Sequence, residues 1–230
     1  MANVFAISCL VAMTLALTLT GCGDPGEAEP PGTTAAIAGG DPAGRVAERA
    51  EDVKPMSEGA HAPVGTLLDA DGAEVDLEQT YAEGPTLLVF FRGGWCPYCS
   101  EHLADLIDLD PEMREMGIQI VAVSPDKPDL LSDKADEMGL NYRLLSDSPM
   151  TVAQAFGLAF RVDDETIEQY DDYGIDLEES SGQSHHLLPV PAVYLIDREG
   201  VIHFAHWNPD YKQRVDPADL MAAATRVTSE

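Results

Sequence analysis

The hydrophobic residues of this chain form short continuous runs that alternate with amphipathic stretches. Two such runs, residues 86–91 and 118–123, are typical of central strands that are covered on both faces. A helical pattern follows each run, to about Leu109 after the first and over residues 129–138 after the second. This alternation of strands and helices predicts an α/β domain built in layers.

Further elements extend this pattern on both sides. Residues 64–68 and 74–77 alternate around the turn at 69–72, which predicts an N-terminal hairpin extension. The remaining predictions are a strand at 142–145, a helix at 150–156, strands at 192–196 and 201–205, and a last helix from Asp216 with Pro217 at its first position. We therefore expect one folded domain over residues 61–230.

The first residues of the chain predict an export signal. Residues 4–19 are almost wholly apolar, and residues 1–22 carry no charged side chain. The sequence Leu19-Thr20-Gly21-Cys22 resembles the lipobox of bacterial lipoproteins, which implies a signal peptide over residues 1–22 and lipidation of Cys22. An uncleaved membrane anchor is the alternative. Both interpretations place the rest of the chain in the cell envelope, outside the cytoplasm and attached to a bacterial membrane.

Composition predicts a spacer and excludes two kinds of partner. Residues 23–60 contain no aromatic side chain and are rich in Gly, Pro, Ala and Glu, which predicts a flexible linker. The formal net charge is −28, from 41 acidic and 13 basic residues. A surface this acidic repels nucleic acid and anionic lipid headgroups, so we expect neither as a partner.

Elimination leaves one pair of cysteines. Cys9 lies in the apolar run and Cys22 is assigned to lipid, so Cys96 and Cys99 remain, separated by two residues. A structural disulfide stabilises most by closing a long loop, whereas a local pair is typical of redox chemistry or metal binding. A zinc site needs about four ligands. No second cysteine pair is present, so we expect no bound metal and no other cofactor.

The position of the pair predicts a different role for each sulfur. Cys96 follows a buried strand at the start of a helix, and Pro97 suits the first helical position. The N–H groups and the dipole at a helix N-terminus lower the pKa of a thiol there. Cys99 shares a helix face with Leu103 and Leu106, so it points toward the core. We expect Cys96 to be accessible and to attack, and Cys99 to resolve the product.

The motif around these cysteines resembles a known family. Trp95-Cys96-Pro97-Tyr98-Cys99 is similar to the thioredoxin and glutaredoxin active site, in its glutaredoxin form. Residues 89–106, with Ser124-Pro125-Asp126 and residues 188–197, resemble the peroxiredoxin-like branch of the alkyl hydroperoxide reductase and thiol-specific antioxidant (AhpC/TSA) family. The resemblance covers about residues 62–219.

The resemblance implies a thioredoxin-like fold, with a central mixed sheet flanked by helices. It also implies a Cys96/Cys99 dithiol that reduces peroxides or protein disulfides with electrons from a thioredoxin-like donor. Pro191 matches the proline that such folds hold in the cis form opposite the dithiol, and Trp95 would cover the edge of the site. Trp95 as an ordinary packing residue is an equal alternative.

Two departures from the family pattern leave the substrate open. Typical peroxiredoxins place Thr or Ser three residues before the reactive cysteine and an arginine nearby, and the matching positions here are Gly93 and Pro191. Arg92 either substitutes for that arginine or only flanks the strand. The residues therefore favour thiol–disulfide exchange, while the resemblance favours peroxide reduction.

An alternative from another class is a non-catalytic copper-handling module with the thiols as Cu(I) ligands. It would need a partner from His185, His186, His203 or His206. His185 or His186 could instead carry a proton near Cys96. Adjacent histidines in a polar loop are more often solvated, so we favour that interpretation. His102 and Glu101 are predicted on a solvated helix face, and residues 163–179 as an acidic surface insertion.

Overall fold

A computed structural model describes residues 46–228 of the chain. Cys22, the predicted signal peptide and most of the predicted linker lie outside the described residues, so their predictions stay predictions. Among the helices of residues 46–228, none combines the length and the hydropathy that a bilayer span requires.

A mixed seven-stranded sheet forms the centre of the domain. Its strands are β1 (Thr66–Leu68), β2 (Glu74–Asp76), β3 (Thr86–Phe90), β4 (Gln119–Ser124), β5 (Arg143–Ser146), β8 (Ala192–Ile196) and β9 (Ile202–Trp207). They lie side by side in the order β2-β1-β5-β4-β3-β8-β9. The three inner strands β3, β4 and β5 are parallel, whereas β8 runs antiparallel to β3 and pairs with β9 at one edge. The predicted hairpin β1–β2 forms the other edge.

Seven α-helices and one small sheet surround this sheet in the described part of the chain. The helices are α1 (Leu77–Glu83), α2 (Pro97–Glu115), α3 (Pro128–Met138), α4 (Thr151–Ala155), α5 (Asp164–Asp172), α6 (Leu177–Ser181) and α7 (Pro217–Thr228). The small sheet pairs β6 (Ala159–Arg161) with β7 (Leu187–Pro189). The predicted fold class, α/β with a mixed sheet flanked by helices, is confirmed.

Strand β3 shows why its run is continuously apolar. Its alternate side chains enter two separate clusters: Leu88 and Phe90 pack in one, and Leu87 and Val89 in the other. A strand covered on both faces needs apolar residues at every position. The second cluster also contains the cysteines at the start of α2, so the core itself fixes the site.

Helix α2 extends beyond its predicted end at Leu109. It continues through Pro111 to Glu115, although proline inside a helix removes a backbone hydrogen bond. Met113 is fully buried after the proline, and the buried Asp110 accepts a 2.7 Å bond from the Arg114 guanidinium. Tertiary packing of the last turn outweighs the local preference to stop.

Folded structure is present before the predicted domain boundary at residue 61. Residues 46–60, assigned to the flexible linker, pack against the domain: the Ala47 amide donates to the Ala159 carbonyl at 2.9 Å, and the Lys54 amide donates to the Gly157 carbonyl at 3.1 Å. Val53 is buried in the core. Because backbone bonds to distant residues hold this segment, its composition did not reveal it.

The predicted acidic insertion also carries regular structure. It contains α5 and α6, whose N-terminal N–H groups are capped by the Asp163 and Asp176 carboxylates. The two carboxylates therefore act locally as helix caps. Leu177 packs with Val162 and Leu188, and Tyr170 lies against them, so the segment has an apolar side that faces the domain.

A glycine substitution tests whether residues 46–60 belong to the domain. Gly157 has φ +70°, and a Cβ there would lie 2.1 Å from the Lys54 carbonyl oxygen. We expect Gly157→Ala to lower the free energy of unfolding by more than the roughly 1–2 kcal/mol that left-handed backbone costs. Chemical denaturation measures this, and limited proteolysis shows earlier cleavage in residues 46–60.

The matched control is Gly139→Ala. Gly139 has a similar φ of +65°, but a Cβ at this position would meet no atom within 4 Å. Gly139→Ala should lower the free energy of unfolding only by the roughly 1–2 kcal/mol that left-handed backbone costs. Equal losses of stability in the two variants would contradict the packing of Lys54 against Gly157.

Candidate active site

The two cysteines lie at the N-terminus of α2, which follows the carboxyl end of β3 along the chain. Cys96 is the N-cap residue, Pro97 occupies the first turn, and the Cys99 amide donates to the Cys96 carbonyl at 3.0 Å. Cys99 is 0% exposed, as predicted. Cys96 is only 1% exposed, so the prediction of an accessible sulfur is wrong. The reason is tertiary: Cys96 lies in an apolar cluster to which the distant residues Val193 and Leu220 contribute, and Trp95 packs against the same cluster.

Electrostatics separate the two sulfurs. A hydrogen bond from Cys99, with smaller contributions from Arg92 and Arg214, outweighs burial and lowers the pKa of Cys96 to about 6. The same hydrogen bond, together with burial, raises the pKa of Cys99. Near neutral pH the pair therefore consists of a Cys96 thiolate and a Cys99 thiol that donates to it. This supports the predicted roles of attacker and resolver.

Arg92 belongs to the site and does not merely flank the strand. Its side chain is buried, and the guanidinium lies 4.0 Å from the centroid of the Tyr211 ring and 5.3 Å from that of Trp95. It also donates a hydrogen bond to the Tyr170 hydroxyl. Aromatic faces stabilise a cation that has lost much of its water. Trp95 thus both packs on the core and contacts this cation.

A second arginine reaches the buried sulfur. The Arg214 Nη2 lies 3.6 Å from Cys99 Sγ, and Nη1 donates to the Tyr211 and Gln213 carbonyl groups. Arg214 lies in the irregular segment between β9 and α7, which no sequence pattern connected with the thiols. Position along the chain gave no signal for it or for Tyr211.

The Asp126 carboxyl lies beside the loop that leads to Cys96. Its Oδ2 accepts from the Gly94 amide at 2.7 Å and from the Ser124 hydroxyl at 3.1 Å. Burial raises the pKa of Asp126 to about 6, against the opposing effect of the Gly94 bond. Asp126 was part of the motif that carried the family resemblance, but its role was not predicted.

Packing dictates glycine at position 93. A Cβ on Gly93 would lie 2.3 Å from Trp95 Nε1 and 2.9 Å from Asp126 Oδ1. The backbone there also has φ +151°, which side chains rarely adopt. A Thr or Ser at this position would displace Trp95, so the departure from the family pattern follows from the local packing.

Pro191 lies near the site, but not in the predicted cis form. The described residues contain no cis peptide bond, so Val190–Pro191 is trans. Trans is the intrinsically favoured form, and here it leaves the backbone satisfied: the Val190 amide donates to Leu158 at 2.9 Å, and the Pro191 carbonyl accepts from Asn208 at 3.3 Å. Pro191 lines a groove of about 760 Å³ that also borders Arg92.

The structure does not bring most histidines to the thiols. His185 Nε2 lies 2.8 Å from the Ser148 carbonyl oxygen, His186 pairs with Glu178 at 2.9 Å, and His203 pairs with Asp197 at 2.6 Å. Among residues 46–228, no group of three or more His, Cys, Asp or Glu side chains is arranged to hold a metal ion. The copper-handling alternative thus lacks further ligands in the described part of the chain.

The predicted solvation of His102 is wrong. Its side chain is buried, whereas Glu101 is exposed as predicted. Burial first, and then the charges of Arg214 and His206, lower the pKa of His102 to about 4. The ring is therefore neutral near pH 7. Helix α7 packs against α2, and the distant residues Arg214 and His206 act on the His102 ring, which the spacing of α2 alone could not show.

Comparison with known proteins shows the family of the chain. Residues 59–205 match the model of the AhpC/TSA family. The chain belongs to the AhpC/TSA family. This confirms the resemblance of the sequence to the AhpC/TSA family, while the glutaredoxin form of the motif at residues 95–99 stays a prediction. Tyr211 and Arg214 lie beyond the matched residues.

Peroxiredoxins are among the proteins most similar to this family member. The chain is 35% identical over 107 residues to the peroxiredoxin Bcp of Escherichia coli, which covers 46% of this chain and 67% of that protein. It is 34% identical over 102 residues to a putative peroxiredoxin of Mycobacterium tuberculosis, covering 44% of this chain and 64% of that protein. The chain thus spans about two thirds of the length of these relatives.

A solved structure agrees at the level of the fold. The peroxidoxin BcpB of Mycobacterium tuberculosis superposes with a TM-score of 0.57 and 23% identity, over 75% of this chain and 97% of that one. At this identity the likeness shows the fold alone.

The pKa difference between the cysteines can be tested by alkylation. We expect the reaction of Cys96 with iodoacetamide, followed by mass spectrometry of its peptide, to rise with pH with a midpoint of about 6. Because the Cys99 thiol makes the largest contribution to the lowered pKa, Cys99→Ala should move the midpoint upward. Below the midpoint Cys96 is protonated and reacts slowly.

The neighbouring Ser100→Ala serves as the control and should keep the wild-type midpoint. A wild-type midpoint near the ordinary thiol value of 9.0 would contradict the assigned charge of Cys96.

Proposed function

We propose that this AhpC/TSA family member is a thiol-dependent peroxidase that cycles Cys96 and Cys99 between dithiol and disulfide. The observation that carries the proposal is the buried Cys96 thiolate, which accepts a hydrogen bond from Cys99 and lies in the field of Arg92. The names of the relatives point the same way, since they are peroxiredoxins.

The proposed reaction has three steps. The Cys96 thiolate attacks one peroxide oxygen, the O–O bond breaks, and the departing alkoxide or hydroxide takes a proton, which leaves Cys96 as a sulfenic acid. Cys99 then attacks the Cys96 sulfur, forms the S–S bond and releases water. A thioredoxin-like dithiol donor reduces this disulfide by exchange and is itself oxidised.

Burial of Cys96 favours peroxide over protein disulfide as the oxidant. A peroxide places two oxygen atoms at the sulfur, whereas a protein disulfide must bring a polypeptide to a sulfur that is 1% exposed. Arg92 supplies the positive charge that the sequence pattern left in doubt, and it borders the groove beside Pro191. This reverses the preference for thiol–disulfide exchange that the residues alone suggested.

Thiol–disulfide exchange remains the second candidate function. It is favoured by the local dithiol and by Gly93, which supplies no hydroxyl where typical peroxiredoxins have Thr or Ser. Reduction of the Cys96–Cys99 disulfide by a protein donor also requires the donor to reach Cys96. We propose that the Trp95 edge of the site moves during that step.

A side-by-side assay separates the two functions. We expect the full-length chain to consume hydrogen peroxide or cumene hydroperoxide faster than it reduces insulin disulfides, with thioredoxin and its reductase as donor. Cys96→Ser should lose peroxide turnover by at least about a thousand-fold, because the nucleophile is gone. Fast insulin reduction with slow peroxide loss would favour the second candidate instead.

Cys99→Ser is the informative partner variant. It should still react once with peroxide, but it should accumulate Cys96 sulfenic and sulfinic acids that mass spectrometry detects. Full steady-state turnover in Cys96→Ser would contradict both thiol-based functions.

We also propose that the chain is exported and anchored to the membrane through lipid on Cys22. The apolar residues 4–19 and the sequence from Leu19 to Cys22 support this. In bacteria fed an alkyne fatty acid, the wild type should be labelled and should sediment with membranes. Cys22→Ala should lose the label, whereas the control Cys9→Ala should keep it.

An unlabelled wild-type protein that stays in the membrane after alkaline washing would support the uncleaved anchor instead. A wild type found only in the cytosol would contradict both forms of attachment.

A further inference from the structure

The charges of two arginines act on the dithiol, and the guanidinium of one of them contacts the inner sulfur. Arg92 comes from the loop after β3 and has the larger electrostatic effect on Cys96. Arg214 comes from the segment before α7, and its Nη2 donates to Cys99 Sγ at 3.6 Å. The Cys99 hydrogen bond and Arg92 have larger effects on the reactive thiolate than Arg214 has, so the contact of Arg214 with the other sulfur needs a separate explanation.

Cys99 has a chemical difficulty that Cys96 does not share. Its sulfur is 0% exposed, and both burial and its bond to Cys96 favour the neutral thiol. In the proposed cycle this sulfur carries negative charge twice. It becomes nucleophilic when it attacks oxidised Cys96, and it leaves as a thiolate when the donor opens the disulfide. Both events are slow for a sulfur that holds its proton strongly.

The groups around Cys99 leave Arg214 as the cation in contact with it. Cys96, the N-cap of α2, carries the negative charge. The Arg92 backbone N–H donates a hydrogen bond to Cys99, while the Arg92 guanidinium stacks on Tyr211. His102 lies one turn along α2 and is neutral because it is buried beside Arg214 and His206. In the described residues, Arg214 is the group whose charged side chain donates to the Cys99 sulfur.

Backbone contacts hold Arg214 in this position. Its Nη1 donates to the carbonyl groups of Tyr211 and Gln213, so two acceptors fix the guanidinium while Nη2 remains directed at the sulfur. Tyr211 is also the ring on which Arg92 stacks. The same short segment thus contacts both guanidinium groups.

We propose that Arg214 is a catalytic residue that stabilises negative charge on Cys99, during both disulfide formation and disulfide reduction. This assignment rests on the proposed dithiol cycle. It adds to that cycle a residue outside the part of the chain that matches the family model.

The step balances without a further reactant. The Cys99 sulfur attacks the Cys96 sulfur, the Cys96 S–O bond breaks, and the Cys99 proton leaves with the hydroxyl group as water. Arg214 stabilises the charge that develops on Cys99 before the new S–S bond is complete. In the reductive step the donor thiolate attacks Cys96, the S–S bond breaks, and its electron pair stays on Cys99 beside Arg214.

Single-turnover kinetics on the full-length chain test the assignment. The reduced protein is mixed with hydrogen peroxide and quenched at intervals, and mass spectrometry counts the Cys96 sulfenic acid and the Cys96–Cys99 disulfide. In Arg214→Gln we expect disulfide formation to slow about tenfold, the usual scale for loss of a charge-assisted hydrogen bond. The first reaction of Cys96 should change by less than about threefold, because Arg92 remains.

Two further variants separate charge from structure. Arg214→Lys keeps the charge and should recover part of the rate of disulfide formation. Arg198→Gln removes the same charge from an exposed turn and should behave as the wild type. Dithiothreitol should reduce the disulfide more slowly in Arg214→Gln, because Cys99 is then a poorer leaving group.

A titration of Cys99 makes the inference independent of peroxidase activity. In the Cys96→Ser background, the pH dependence of Cys99 alkylation should shift to higher pH when Arg214→Gln is added. A role limited to folding would lower stability without this shift. An unshifted titration together with an unchanged rate of disulfide formation would overturn the assignment, even in a fully active peroxidase.

Failure of the peroxidase proposal can be told apart from failure of the Arg214 assignment. A wild type that does not consume peroxide would overturn the peroxidase proposal. The alkylation titration and the dithiothreitol step would still show whether Arg214 stabilises charge on Cys99.

Discussion

The hydrogen bond that Cys99 donates to Cys96 is the interaction on which the site depends. It lowers the pKa of one sulfur and raises that of the other, so it gives two chemically identical residues opposite roles. The bond forms because Cys96 is the N-cap of α2 and Cys99 lies in its first turn. Both sulfurs are buried, which removes competing water and strengthens the interaction.

The cations near these sulfurs, the buried Arg92 and the partly buried Arg214, impose a second constraint. The chain carries 13 basic residues against 41 acidic ones, yet two of its arginines act on one dithiol. Aromatic rings stabilise the Arg92 guanidinium away from bulk water, and they come from three separate segments, at Trp95, Tyr170 and Tyr211. The acidic segment with α5 therefore contributes to the site through Tyr170, beyond adding surface charge.

The same packing explains how this chain differs from the typical family pattern. The Trp95 ring occupies the space that a side chain at position 93 would need, so Gly93 and Trp95 form one unit. A hydroxyl at position 93 is incompatible with this arrangement. Typical peroxiredoxins have an arginine at the position that matches Pro191. Here the positive charge near Cys96 comes from Arg92, just after the strand that leads to the thiols.

Apart from the mixed sheet, which the family resemblance implied, the sequence by itself determined the layered α/β fold, the hairpin and the pairing of Cys96 with Cys99. Periodicity and spacing are local properties, and each of these features depends on residues close together in the chain. Only the tertiary structure decided that Cys96 is buried, that His102 is not solvated, that residues 46–60 are folded and that Arg214 contacts Cys99. These depend on contacts between distant segments, and a sulfur and a guanidinium separated by more than a hundred residues share no local pattern.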